Sequence, residues 1–188
     1  HATSPSYQKV LDHFNPKFLL GMTATPERSD NGNVFDLFDN NLAVDIRLRQ
    51  ALEENLLVPF HYYGITNQTG VDLSDERLTP DQIAEKLNVN SRVDFIIERM
   101  NFYGHDGPKR KALGFCITKK HAEFMAAEFN KCGIPSTYLT GEDSEEERMR
   151  QIQLLESDTD KLNVIFTVDI FNEGIDIPET NVLIFMRH

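Results

Sequence analysis

Three places in this 188-residue sequence put small hydroxyls, glycine and charge at the end of an apolar run. Thr118-Lys119-Lys120 follows the run Ala112 to Ile117 and opens a helical pattern. Free backbone N–H groups and two ammonium groups at such a point can hold a phosphate. A plain helix cap with solvated lysines accounts for the same residues and, on this feature alone, is preferred. Thr140-Gly141 follows Ser136 to Leu139, and glycine there lets the backbone approach a ligand closely. A simple tight turn reads it equally well. The third place runs from Phe166 through Thr167 and Gly174 to Asp176 and Pro178. Between Ile175 and Ile177, the Asp176 carboxylate can accept two hydrogen bonds from a ribose diol. An aspartate capping a turn is as good a reading of that residue.

Other chemistry finds little support. The six histidines lack metal-site spacing and most are expected at the surface or in caps, so no metal site is expected. Cys116 lies inside an apolar run and reads as core, and with Cys132 it makes neither a disulfide framework nor a zinc ligand set. The net charge of -11 excludes a wholly basic nucleic-acid module but not a local basic groove. Lys109-Arg110-Lys111 and Lys119-Lys120 bracket one apolar run, so only the second pair is expected near its carboxyl end. The acidic run Glu142 to Glu147 reads as the favourable negative start of a helix. No apolar run approaches the roughly 20 residues of a membrane span. The opening HATSPSYQKV has no basic-then-apolar leader. A cytoplasmic protein with no membrane partner is the expectation, and the two cysteines suit a reducing compartment.

These residues need elements to position them. Ser4-Pro5 with Tyr7, Val10, Leu11 and Phe14 has helical spacing, and Asn15-Pro16 ends it. Phe18 to Met22 is a short continuous apolar run that predicts a strand buried on both faces. Residues 28–41 predict an exposed loop with a short turn at Val34 to Phe38. A helix over Arg47 to Leu57 and a strand over Phe60 to Ile65 follow. Thr79-Pro80-Asp81-Gln82 carries a capping box, and Ser91 opens a helix with Val93, Ile96, Ile97 and Met100 on one face. Beyond Ala112 the pattern is regular. Strands are predicted at Ala112 to Ile117, Ser136 to Leu139, Leu162 to Val168 and Val182 to Met186. Helices are predicted at Lys119 to Lys131 and from Ser144 to about Glu156. Strands alternating with helices imply a parallel sheet, and open parallel sheets bind ligands at their carboxyl ends. The class is α/β.

At this level of detail the residues resemble a family. Gly21-Met22-Thr23-Ala24-Thr25-Pro26 is similar to helicase motif III, Cys116-Ile117-Thr118 to motif IV, and Thr167 to Pro178 to motif V. Their order and spacing resemble superfamily 2 DEAD/DEAH-type helicases, in the branch of the type III restriction-enzyme helicase subunit. The phrases FLLGMTATPER, PFHYYGI, LTGEDSEEER and FTVDIFNEGIDIPETN are similar to that branch, and the resemblance covers nearly the whole chain. The sequence holds no G-x-x-x-x-G-K-[ST] loop, and the family's acid box and motif VI are not found in it.

The resemblance implies a RecA-like α/β fold. Residues 1–57 are then the C-terminal remnant of helicase lobe one, and residues 58–188 are lobe two without its C-terminal end. Thr23 and Thr25 are implied as motif III coupling residues, and Gly174 and Asp176 as ATP-ribose contacts. Arg28, Thr118, Lys119, Thr140, Gly141 and Thr167 are implied as contacts to the nucleic-acid backbone. Small hydroxyls and backbone amides suit sequence-blind movement, which must touch phosphates and not bases. ATP and Mg²⁺ are the implied cofactors of the parent protein, with none tightly bound to this piece. The implied partner is nucleic acid, DNA favoured over RNA, bound modestly and with strong salt dependence. The rest of the parent's lobe one and its motif VI segment are further expected partners. Another chain or a rearranged packing is expected to cover residues 1–45. The piece alone is expected to be inactive. A regulatory or scaffold domain that kept the lobe-two fold, and the motor subunit of a restriction system, are the alternatives.

Overall fold

The computed structural model describes residues 4–14, 16–23, 34–65, 77–171 and 176–186. The chain divides into two compact units, His1–Gly64 and Ile65–His188.

Among the described residues the first unit has two helices, α1 (Pro5–Phe14) and α2 (Leu48–Glu53), and a 3-10 turn at Phe35–Phe38. Both predicted strands of this unit are corrected, since residues 18–22 and 60–65 are neither helix nor strand. Apolar composition makes a strand only when a neighbour supplies backbone partners. No described segment pairs with either stretch. Phe18, Leu20 and Met22 are exposed, and so are Phe60 and Tyr62.

The second unit begins with α3 (Pro80–Leu87) and α4 (Asn90–Tyr103). The capping box forms as its residues dictate: Thr79 Oγ1 accepts from the Gln82 N–H, and Gln82 Oε1 accepts from the Thr79 N–H. Then come β1 (Ala112–Phe115), α5 (Lys119–Lys131), β2 (Ser136–Leu139), α6 (Glu145–Glu156), β3 (Val164–Thr167) and β4 (Val182–Phe185). All pairings are parallel, in the order β2-β3-β1-β4. The α/β expectation is met.

Side chains alternate across the sheet and so build two cores. On one face Ala112, Val164 and Phe166 pack with Val93 and Met100 of α4 and with Ala122, Met125, Ala126 and Phe129 of α5. On the other, Leu113, Phe115, Leu139 and Ile165 pack with Ile152 and Leu155 of α6. Phe129 and Phe166 meet edge to face with centroids 4.9 Å apart. Cys116 is buried in the first core, where burial pushes its thiol above the usual range.

The amino edge of the sheet is tied by polar groups. Lys111 Nζ donates to Glu156 O at 2.6 Å and pairs with Glu179 and Asp158. Lys109 Nζ donates to Ser157 O at 3.0 Å and to Thr159 O. Ammonium groups thus satisfy the carbonyls just past the end of α6, where the helix dipole is negative. Asn181 donates to Asp106 O and Lys109 O and accepts the Lys111 N–H, fastening the start of β4 to the start of β1.

Candidate nucleic-acid interface

Register decides what the carboxyl edge brings together. Phe115 of β1 pairs with Thr167 of β3, and Thr167 pairs with Leu139 of β2. Three chain turns therefore leave the sheet side by side: Cys116-Ile117-Thr118, Thr140-Gly141 and the segment after Thr167. Asp169 turns the last of them with a left-handed backbone, φ 57°.

Thr118 is the N-cap of α5. Its Oγ1 accepts from the His121 N–H at 3.2 Å, and the His121 Nδ1 faces the Ile117 N–H at 3.4 Å. His121 is fully buried, an exception to the expectation that most of the histidines lie at the surface or in caps. It shares the first turn of α5 with Ala122, so the helix carries both inward. Burial, and then the nearby Arg92 charge, push its pKa down to about 4. The ring is neutral at pH 7. With Nδ1 accepting, the proton sits on Nε2, which has no partner among the described residues.

Thr140 is buried and tightly organised. Asp143 Oδ2 accepts from the Thr140 N–H at 2.6 Å and from its Oγ1 at 3.1 Å, and Oγ1 accepts from the Glu142 N–H at 3.3 Å. From α6, Arg148 Nη2 donates to Thr140 O and Gly141 O at 3.2 and 3.0 Å. Gly141 itself is exposed. Lys119 Nζ is paired with Glu142, which holds its pKa above the ordinary lysine value. Only the last part of the acidic run is a helix start, with Glu145, Glu146 and Glu147 in the first turn of α6. Glu142 and Asp143 instead engage the strand-end residues, a correction to the reading of the whole run.

Thr167 is fully buried, and its Oγ1 has no hydrogen-bond partner among the described residues. Asp176 is exposed, while its neighbour Ile177 packs on the α6-side core. Thr23 is exposed and belongs to the first unit. Thr25, Arg28 and Gly174 lie outside the described residues. Lys109, Arg110 and Lys111 stand at the opposite edge, as their place before β1 requires. Among the described residues no group of three or more His, Cys, Asp or Glu side chains is placed to hold a metal ion, and no helix is long and apolar enough to cross a membrane.

Sequence reasoning passed over Arg148, Arg92 and the burial of His121, and read Asp143 only as part of a helix start. Only the inward periodicity of α5 carried a signal, and it pointed to His121 alone.

Comparison with known proteins decides the family. The model of the helicase conserved C-terminal domain matches residues 91–188, more than half the chain. The chain belongs to that family. Residues 1–28 match the type III restriction enzyme res subunit, so the domain is a superfamily 2 helicase domain of the type III restriction-enzyme kind. A Schizosaccharomyces pombe protein that carries the name of a mitochondrial ATP-dependent helicase, irc3, is 29% identical over 97% of this chain and 31% of its own length. The type I restriction enzyme EcoKI endonuclease subunit of Escherichia coli is 23% identical over 97% of this chain and 18% of its own. The UvrABC system protein B of Chlorobium limicola is 34% identical over 55% of this helicase-family chain and 14% of its own. The second domain of the Mss116p DEAD-box helicase, solved bound to an RNA duplex, matches with TM-score 0.39 at 19% identity. That match covers 55% of this chain and 39% of the other, a likeness too slight to bear on fold or function. The chain spans about a third of the length of irc3.

Proposed function

We propose that the chain is part of an ATP-dependent nucleic-acid helicase or translocase. In this reading residues 58–188 are lobe two and residues 1–57 belong to lobe one. The carboxyl edge of the sheet follows the phosphodiester backbone with Thr118, Lys119, Thr140, Gly141 and Thr167, and Arg28 is a further nucleic-acid contact of the parent protein. Asp176 and Gly174 contact the ATP ribose, and Thr23 and Thr25 couple hydrolysis to movement. The observation that carries the reading is the register row of Phe115, Thr167 and Leu139, which gathers three separately encoded threonine turns in a helicase-family domain.

ATP chemistry is assigned to the parent protein. Phosphoryl transfer needs a phosphate cradle with its lysine, a carboxylate-held Mg²⁺ and positive charge opposite the γ-phosphate. The exposed Asp176 carboxylate fits a ribose diol, but a single diol contact supports only millimolar or weaker binding. The described residues supply no cluster for Mg²⁺.

Phosphate release from the purified 188-residue chain, with and without an oligonucleotide, is the test. Background release is expected from this chain, together with loss of ATP use in the parent carrying Asp176→Ala while its melting temperature holds. Turnover that survives repurification and disappears in Asp176→Ala would show a complete ATPase and sink the reading.

The motor subunit of a restriction system is a second reading, favoured by the res-subunit match over residues 1–28. It changes the partners and leaves the lobe chemistry the same. An associated nuclease or modification subunit, recovered with the parent protein, separates the two.

A further inference from the structure

Arg92 sits in the first turn of α4, outside every motif read from the sequence. The far end of that helix is held near the start of β1, because Arg110 Nη2 donates to Met100 O at 3.4 Å and to Asn101 Oδ1 at 3.0 Å. A 14-residue helix is about 20 Å long. A four-residue strand spans only about 13 Å. The helix is thus long enough for its first turn to reach the carboxyl edge of the sheet. Its charge acts on His121, which in turn binds the Thr118 cap and faces the Ile117 N–H.

Among the described residues Arg92 makes no hydrogen bond or ion pair, and its Nε is buried and unpartnered. Burial alone lowers its pKa, with no carboxylate to oppose the effect. A half-buried cation without a partner is costly, and an anion is what repays it. Four residues before Arg92, Asn88 Oδ1 is also buried and also without a partner among the described residues. Chain-wide the balance is strongly acidic, so an unpaired arginine is not a leftover of excess positive charge.

We infer that Arg92 is a further phosphodiester contact of the strand-end track, its guanidinium set beside the Thr118 helix start with buried His121 holding that start in place. This rests on the nucleic-acid reading above. It lengthens the track from the strand ends onto the α4 side. Arg92 is suited to phosphate, since its planar fork can give two parallel N–H bonds to one phosphate. Like the threonines, it carries no base specificity.

The test is a titration of a fluorescently labelled oligothymidylate against the full chain over a range of KCl concentrations. Wild type is compared with Arg92→Gln, Arg92→Lys and Lys119→Gln. Arg92→Gln should weaken binding roughly five- to tenfold at low salt and reduce the salt slope by about 0.7, the value for one phosphate of a single strand. Its melting temperature should hold, and Arg92→Lys should restore the slope. A lowered melting temperature with an unchanged slope would make Arg92 a structural partner of Asn88, and the inference fails. Binding that responds to Lys119→Gln and not to Arg92→Gln also overturns it while leaving the nucleic-acid reading intact. No binding by wild type overturns both. Inorganic phosphate added at constant ionic strength separates a strand from a free anion. Stronger competition in wild type than in Arg92→Gln, without a difference in the salt slope, would mean that the site takes free phosphate.

Discussion

Lys119 and Glu142, 23 residues apart, form an ion pair that joins the turn after β1 to the turn after β2. One of the cations assigned to the nucleic-acid backbone is thus already held by a carboxylate of the same edge.

Replacing that carboxylate frees the ammonium and removes a negative charge from the track. Glu142→Gln is expected to tighten oligonucleotide binding by roughly threefold at low salt, with the gain fading as salt rises. Both side chains are well exposed, so the fold should be indifferent. Glu145→Gln, in the first turn of α6, is the control. An equal gain from both substitutions would assign the effect to net charge and not to the pair.

His121 makes the second unit sensitive to acid. Its folded pKa of about 4 lies below the unfolded value of 6.5, so between those values the unfolded chain binds the extra proton. Stability is therefore full above pH 6.5 and falls as the pH drops toward 4, by about 3 kcal/mol in total. Urea unfolding at pH 7, 5.5 and 4.5 measures it. His121→Asn keeps an acceptor near the Ile117 N–H and should flatten that dependence. The depressed Glu147, at about 2 beside Arg150, acts only from its ordinary 4.5 downward and leaves the upper part of the window to His121. An unchanged slope in His121→Asn would assign the acid response elsewhere.

Gly114 is where β1 meets the core ring of Phe166. A Cβ there would lie 2.4 Å from Phe166 Cδ1 and 2.6 Å from Cε1. The ring is fully buried against Phe129 and has no space to retreat. Gly114→Ala should cost about 1–3 kcal/mol by overpacking. Phe166→Ala should cost about 3–5 kcal/mol by leaving a cavity. The double variant should cost less than the two combined, because the new methyl enters space that the ring has vacated. Strict additivity in denaturant unfolding would contradict the contact.

What was legible in the sequence was local. The Thr79 and Ser144 caps, the α5 periodicity and the parallel strands after Ala112 follow from neighbours within a turn or two. Phe18 to Met22 and Phe60 to Ile65 were misread because an apolar run becomes a strand only through a partner elsewhere. The gathering of Thr118, Thr140 and Thr167 was foreseeable from the alternation of strands and helices, which implies a parallel sheet with its carboxyl ends on one edge. The grip of Asp143 and Arg148 on the second turn, and the isolation of Arg92, were not. Those depend on which side chains converge from different helices, and spacing along one chain does not encode that.

The strand order carries a cost during synthesis. β1 is central, yet its partners β3 and β4 arrive about 50 and 70 residues later. At roughly 5–20 residues per second, β1 leaves the ribosome with both edges bare for some seconds. An unpaired apolar strand in that state is a template for a second nascent chain. Lys109-Arg110-Lys111 directly precedes it, and mutual repulsion of such charges keeps two copies apart. The lysines that later fasten the end of α6 thus stand as like charges beside the strand while its edges are bare.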